Sequence, residues 1–107
     1  MATDYVQVQT TVASKPEAER ISAALLDRRL AACVQVIGPL TSRYRWQGEI
    51  EEAQEWMCLA KTTASRYPQL EAAIRELHSY EEPEIVATPI VAGSNGYLGW
   101  IGDSVRD

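Results

Sequence analysis

One histidine and the carboxylates that follow it are the residues in this chain best suited to bind a metal ion. His78 comes at the end of a helical pattern, and Glu81, Glu82 and Glu84 follow it closely. An imidazole and carboxylates together can hold a borderline divalent ion, although the spacing is not that of a C-x-x-C or H-E-x-x-H motif. We predict weak, exchangeable metal binding here. We favour a solvated acidic turn over a preformed site, with His78 beside the last helical carbonyls.

Aromatic side chains with a few polar neighbours form a second candidate site. Its members are Tyr44, Trp46, Lys61, Thr62, Tyr80, Glu84, Tyr97 and Trp100. Walls of this composition are typical of a small-ligand pocket, and they are equally typical of an interface between subunits. The sequence does not separate the two. We place a subunit interface first and an intersubunit ligand cleft second.

A cluster of carboxylates makes one further stretch acidic. Its members are Glu49, Glu51, Glu52 and Glu55. We expect these side chains to face solvent, where they favour solubility and pair across a strand with Arg43 and Arg45. Surface carboxylates of this kind still attract cations without selecting among them.

The chain lacks the residue patterns of the common catalytic sites. It has one histidine and no Gly-x-Ser-x-Gly elbow, and Thr11–Lys15 has no glycine with which to cradle a phosphate. A cysteine nucleophile needs a basic neighbour, whereas Cys33 and Cys58 lie in mid-strand among apolar residues. We therefore predict that the protein is not an enzyme and requires no cofactor, and that both thiols are reduced and buried.

The charge balance excludes several classes of partner. Fifteen acidic and ten basic residues give a net charge of −5, which argues against binding to nucleic acid or to an anionic membrane. No stretch approaches the roughly eighteen apolar residues of a membrane span, and Met1–Asp4 does not resemble a signal peptide. We expect a cytoplasmic protein with no nucleic-acid or membrane partner.

Hydrophobic periodicity predicts a single α+β domain over residues 1–107. The predicted elements are a strand over Tyr5–Val12, a helix from Ser14 to about Arg29, a hairpin over Ala31–Thr62, a helix from Pro68 to His78, a strand over Ile85–Val91 and a short helix over Tyr97–Val105. Without the last helix, the order β-α-β-β-α-β is that of the ferredoxin-like split βαβ sandwich. Its two helices cover one face of an antiparallel sheet, which leaves the other face for a second copy.

The hairpin is predicted to turn at Gln47-Gly48, because glycine takes the positive φ that a tight turn requires. This turn pairs Trp46 with Glu49 and Arg43 with Glu52. Continued to the far end, the same register pairs Cys33 with Thr62 and Cys58 with Ile37, so that the two thiols are not partners. A bulge at Gly38-Pro39 would shift this far end.

The hairpin is too long for the domain that carries it. Each arm has about fourteen residues and spans roughly 45 Å, whereas a domain of this length has a radius of gyration near ~13 Å and is little more than ~30 Å across. The tip must overhang with Tyr44, Trp46 and Ile50 on it, and an unpaired ribbon is unstable in water. We predict that another copy of the chain pairs with it. The alternative is a hairpin bent back over its own body at Gly38-Pro39.

Five segments, taken together, have the residues and the spacing of a known protein family. They are Leu30–Val34, Ser42–Ile50, Lys61–Thr62, His78–Tyr80 with Pro83–Ile85, and Tyr97–Trp100. In these segments the chain resembles the CutA divalent-cation tolerance proteins over roughly Val6 to Ile101. The resemblance implies a ferredoxin-like fold and a tight homotrimer whose long hairpins pair between subunits.

The same resemblance implies a role in the response to divalent metals, copper above all, and an architecture similar to that of PII signalling proteins. We therefore expect a non-enzymatic homotrimer that serves divalent-cation tolerance and binds copper or another divalent ion weakly. One alternative is a PII-like sensor of a nucleotide or another small anion in the cleft between subunits. Another is a trimeric scaffold that anchors a further protein.

Overall fold

The computed structural model describes residues 4–106. Its strands are β1 (Tyr5–Val12), β2 (Cys33–Trp46), β3 (Glu49–Thr63) and β4 (Val86–Pro89), and its helices are α1 (Lys15–Asp27), α2 (Tyr67–Leu77) and α3 (Asn95–Ser104). A short 3-10 turn, Ala64–Arg66, leads into α2. The predicted order of elements is confirmed, although β4 is shorter than the predicted Ile85–Val91. Helix α1 ends before Arg29, whose φ of 57° lies outside the helical region.

The four strands form one sheet in the order β2-β3-β1-β4. Every neighbouring pair in this order is antiparallel. This strand order, with the β-α-β-β-α-β sequence of elements, is the predicted ferredoxin-like split βαβ arrangement. The first and last strands in sequence therefore lie side by side, and residues far apart in the chain meet at β1.

The core lies between one face of the sheet and helices α1 and α2. Apolar residues on alternate positions of β1 and β3 supply the sheet side, and residues at helical spacing supply the other side. The largest fully buried members are Val8, Val12, Cys58, Ile21, Leu25, Leu70 and Ile74. Helix α1 starts at this layer because the Ser14 hydroxyl accepts a hydrogen bond from the Glu17 amide at 3.3 Å.

The opposite face of the sheet, called here the open face, carries the side chains that alternate with those of the core. Its members are Gln7, Gln9 and Thr11 on β1, Glu55, Met57, Leu59 and Lys61 on β3, and Cys33, Gln35 and Ile37 on β2, continuing towards the turn through Leu40, Ser42, Tyr44 and Trp46 with Glu49, Glu51 and Ala53. The middle of this face is incompletely covered. Ile37 is 50% exposed there, which agrees with the expectation that this face is left for another partner.

The hairpin register is as predicted at the turn and shifted by one residue at the far end. Trp46 pairs with Glu49 and Arg43 with Glu52, and a register shift lies between Ile37 and Leu40. Cys33 therefore pairs with Lys61 rather than Thr62, and Val36 rather than Ile37 pairs with Cys58. The predicted far-end pairs are wrong because a bulge at Gly38-Pro39 takes up the extra residue. Both thiols are free, as expected, although Cys33 is only partly buried.

The hairpin projects from the body of the domain. The chain measures 44 × 29 × 22 Å with a radius of gyration of 14.4 Å, so one dimension greatly exceeds the other two. The tip is not folded back, because Trp46 is 54% exposed and Ile50 is 61% exposed. Among residues 4–106, no helix combines the length and the apolar character needed to cross a membrane.

We expect the bulge to tolerate no side chain at Gly38. A Cβ atom there would lie 2.7 Å from Cγ of Trp56, so Gly38→Ala must displace the indole ring. The expected loss is about 1–3 kcal/mol in the free energy of unfolding, as for other overpacked sites, measured by urea denaturation. Gly99→Ala is the matched control, because open space surrounds Gly99 in α3, where alanine is the better helix former. Equal stability of the two variants would contradict this account.

Candidate functional site

A cleft of about 1090 Å³ lies on the open face, between the projecting hairpin and the segment that follows α2. We call it the acidic cleft. Its charged lining residues are five carboxylates and one guanidinium: Glu51, Glu55, Glu81, Glu82, Glu84 and Arg43. Its aromatic lining residues are Tyr44, Trp46 and Tyr80. The excess of negative charge makes the cleft attractive to cations.

The first turn of α1 anchors the segment that forms one wall of this cleft. Glu17 is only 6% exposed. One of its carboxylate oxygens accepts a hydrogen bond from the Ser79 amide at 2.9 Å, and the other accepts one from the Ser79 hydroxyl at 2.9 Å. Charge-assisted bonds of this kind are the strong ones, so Glu17 fixes where the chain leaves α2.

His78 is a buried structural residue in this segment. Its Nδ1 accepts a hydrogen bond from the Tyr80 amide at 3.0 Å, and its Nε2 lies 2.9 Å from the Thr11 carbonyl oxygen. A backbone N–H can only donate, so we assign the proton to Nε2, which donates to Thr11. Because both ring nitrogens are engaged with the backbone, neither is free in this structure to bind a metal ion.

The other three predicted ligands do not compensate for this loss. Glu81, Glu82 and Glu84 are exposed, while Glu84 accepts a hydrogen bond from the Gln9 amide at 2.7 Å and Glu82 lies 3.7 Å from the Arg75 guanidinium. Within residues 4–106, no group of three or more histidine, cysteine or acidic side chains is placed to hold a metal ion. The favoured alternative, an acidic turn in solvent, describes these three carboxylates correctly.

Glu55 and Tyr80 form the buried floor of the acidic cleft. Glu55 is 6% exposed and accepts a hydrogen bond from the Tyr80 hydroxyl at 2.7 Å. Burial, and then the Glu55 carboxylate, raise the pKa of the Tyr80 phenol far above its usual range, so that Tyr80 stays protonated and donates. No basic side chain in the described part of the chain forms an ion pair with Glu55.

The expectation that Glu55 faces solvent with the rest of its acidic stretch is therefore wrong. Arg43 does pair with Glu52 as predicted, at 2.8 Å, and Glu51 is exposed. Glu55 differs because it lies on the open face together with Met57 and Leu59, at the point where Tyr80 crosses that face. The alternation of residues in β3 predicts from the sequence that Glu55 shares a face with Met57 and Leu59. The contact with Tyr80 depends on the fold and is not predicted by that alternation.

The predicted aromatic set divides between several places. Tyr44, Trp46 and Tyr80 meet in the acidic cleft, whereas the rings of Tyr97 and Trp100 pack against each other on α3 with centroids 5.4 Å apart. Both rings on α3 remain partly exposed.

The two polar members of that set lie on opposite faces of the sheet. Lys61 lies on the open face and donates to the Gln35 amide oxygen at 2.7 Å. Thr62 lies on the helix-covered face, is fully buried and does not line the acidic cleft. Sequence reasoning also missed Glu17 and Ser79, for which the only local signal was the acidic residue in the first turn of α1.

Comparison with known proteins identifies a family for nearly the whole chain. The model of a family described as CutA1 divalent ion tolerance protein matches residues 6–104. The divalent-cation tolerance protein CutA of Thermus thermophilus is 47% identical over 97 residues, covering 91% of this chain and 94% of that protein. A Xenopus laevis protein described as a CutA homolog is 42% identical over 90 residues, covering 84% of this chain and 60% of that protein.

Solved structures agree with the sequence comparison. The Thermus thermophilus protein superposes with a TM-score of 0.92 at 46% identity, covering 94% of this chain and 97% of that chain. The structure described as the periplasmic divalent cation tolerance protein CutA of Archaeoglobus fulgidus superposes with a TM-score of 0.93 at 36% identity, covering 95% of this chain and 99% of that chain. The likeness therefore extends through the projecting hairpin and α3.

Proposed function

Because the chain belongs to the CutA1 family of divalent ion tolerance proteins, we propose that it serves divalent-cation tolerance as a self-associated, non-catalytic protein. The observation that carries this proposal is the projecting hairpin. Its tip exposes Tyr44, Trp46 and Ile50, and a two-stranded ribbon with exposed aromatic side chains needs a partner in water. We propose sister copies of the chain as this partner. The resemblance to CutA proteins implies a homotrimer.

The proposal of a non-catalytic protein rests on what the candidate chemical groups are doing. His78 is fixed by two backbone hydrogen bonds. Burial raises the pKa of the Cys58 thiol, which keeps it protonated and a poor nucleophile. Neither group is available as the acid, base or nucleophile of a reaction.

Divalent ions, copper among them, are proposed to bind weakly and exchangeably at the acidic cleft. The support is the charge of its lining, in which five carboxylates face one guanidinium. Exposed carboxylates without a fixed imidazole ligand give little selectivity between ions. On this proposal the ion is not a structural component, and the fold does not require it.

A second candidate function is the sensing of a small ligand in the same cleft. The lining of the cleft favours it, since small-ligand sites combine aromatic walls with a few polar groups. The excess of carboxylates disfavours nucleotides and other anions. We therefore rank this reading below cation tolerance.

We propose the cytoplasm as the compartment, in keeping with the two free thiols. A related protein of known structure is described as periplasmic, so family members are not all assigned to one compartment. Fractionation of cells that carry the tagged chain tests this point.

Native mass spectrometry, followed by calorimetry, tests the proposed function. We expect a trimer in metal-free solution, and weak heats with Cu²⁺ that disappear with chelator. Nucleotides are expected to give no heat, because the acidic cleft repels them. A single copy at micromolar concentration would contradict the proposed self-association, and nucleotide binding without metal binding would favour the sensing function instead.

A further inference from the structure

We propose that the acidic cleft is completed by Lys61 of a second copy, whose ammonium group pairs with the buried Glu55 carboxylate. The inference rests on the self-association proposed above and specifies one of its contacts. It assigns a partner of opposite charge to two side chains that form no ion pair within the described part of one copy. The cleft is then a shared site rather than a property of one chain.

Glu55 is a buried carboxylate without a cation beside it in the described part of the chain. A buried carboxylate is costly unless a cation compensates for its lost hydration. Glu55 is 6% exposed, and its one hydrogen-bond donor is the neutral Tyr80 hydroxyl at 2.7 Å. No ion pair reaches it from the basic residues between positions 4 and 106. Glu55 therefore lacks a cationic partner within one copy.

Lys61 is a basic side chain without a carboxylate partner among the described residues. It is the one basic side chain among the described open-face positions of β1, β2 and β3. Its ammonium donates to the neutral Gln35 amide oxygen at 2.7 Å and makes no ion pair with the carboxylates that the structure describes. If a sister copy covers the open face, Lys61 loses water and needs a carboxylate as its new partner.

The two groups cannot meet within one chain. Both lie on β3, six residues apart, and at about 3.3 Å per residue their Cα atoms are separated by ~20 Å. Between them the open face carries Met57 and Leu59, with Ile37 alongside at 50% exposure. Along β3 the face thus has an acidic end, an apolar middle and a basic end, with Gln9 and Gln35 on either side of Leu59.

Charge complementarity makes a second copy the favoured occupant of the acidic end. Packing two apolar middles together removes them from water, and a shifted arrangement places the basic end of one copy against the acidic end of the next. Attraction between the opposite charges also favours this arrangement over one that places two acidic ends, or two basic ends, together. Arg43 is less suited to neutralise Glu55, because it already pairs with Glu52 at 2.8 Å.

A double-substitution cycle measured by sedimentation of the full chain tests the pair. Lys61→Met keeps the length of the side chain without its charge, and Glu55→Gln keeps an acceptor for Tyr80. We expect each single variant to raise the concentration of half-dissociation by at least about tenfold. The double variant should be no weaker than the worse single variant, since both substitutions remove the same interaction.

Lys15→Met and Glu19→Gln, which make the same chemical changes on exposed positions of α1, are the matched controls and should leave self-association unchanged. Thermal melts of every variant show whether it is folded. If the wild type self-associates but the Lys61 and Glu55 effects are absent or additive, this pairing is overturned while self-association stands. If Glu55→Gln weakens the assembly and Lys61→Met does not, the cation comes from elsewhere and the proposal fails. A wild type that is monomeric throughout would overturn the proposed self-association itself.

Discussion

Trp46→Ala is expected to weaken self-association by about 2–4 kcal/mol, the range of an aromatic hot spot at an interface. This corresponds to a roughly 30- to 900-fold higher dissociation constant. Within one copy the indole is 54% exposed at the hairpin tip, so a single chain loses little packing when it is removed. The secondary structure of the separated copy should therefore be unchanged.

Sedimentation velocity over a dilution series measures the loss of association, and circular dichroism checks that the hairpin persists. Leu26→Ala is the matched control. Leu26 is a large apolar residue of 44% exposure, but it lies on α1, away from the open face. An oligomer unchanged by Trp46→Ala, or one equally weakened by Leu26→Ala, would contradict the role given to the hairpin tip.

Glu17→Ala is expected to lower the free energy of unfolding by about 3 kcal/mol or more, since hydrogen bonds to charged groups contribute roughly 1.5–3 kcal/mol each. The substitution removes both acceptors of Ser79, whose amide and hydroxyl each bond to Glu17 at 2.9 Å. The segment that carries Tyr80 should then leave its place over Glu55.

Glu19→Ala provides the matched control for this loss. Glu19 belongs to the same helix but is exposed, so its substitution tests general effects of charge and helix propensity. Urea denaturation of both variants measures the difference, and loss of protection at the Tyr80 amide in hydrogen exchange locates it. If Glu17→Ala were as stable as Glu19→Ala, the anchoring role of Glu17 would be disproved.

Local patterns in the sequence were sufficient for the elements and for the near end of the hairpin. Alternation over Tyr5–Val12 and the turn at Gln47-Gly48 depend on neighbouring residues alone, so the strand and the register next to the turn are as predicted. The far end was misplaced because a bulge shifts the pairing, and the sequence indicated where the bulge would lie without fixing whether it formed.

The candidate site was harder to predict, because burial of a polar side chain depends on residues distant in sequence. His78 has the chemistry of a metal ligand, yet β1 and the Tyr80 amide occupy both of its ring nitrogens. Glu55 has the appearance of a surface carboxylate, yet Tyr80 covers it. In both cases the deciding contact crosses from one part of the fold to another, which periodicity does not report.

The bulge at Gly38-Pro39 adds one residue to β2 and leaves unchanged the face that the projecting ribbon turns to the cleft. Before it, odd-numbered residues of β2 such as Ile37 lie on the open face, and after it the even-numbered Tyr44 and Trp46 lie there. Removing one residue of the bulge would leave a single residue opposite Trp56, with Ile37 still opposite Met57 and Leu40 still opposite Glu55, so the aromatic side chains would stay on the open face. Removing both residues would instead reverse the alternation and turn Tyr44 and Trp46 to the opposite face, so the loss of two residues here should be far less tolerated than the loss of one.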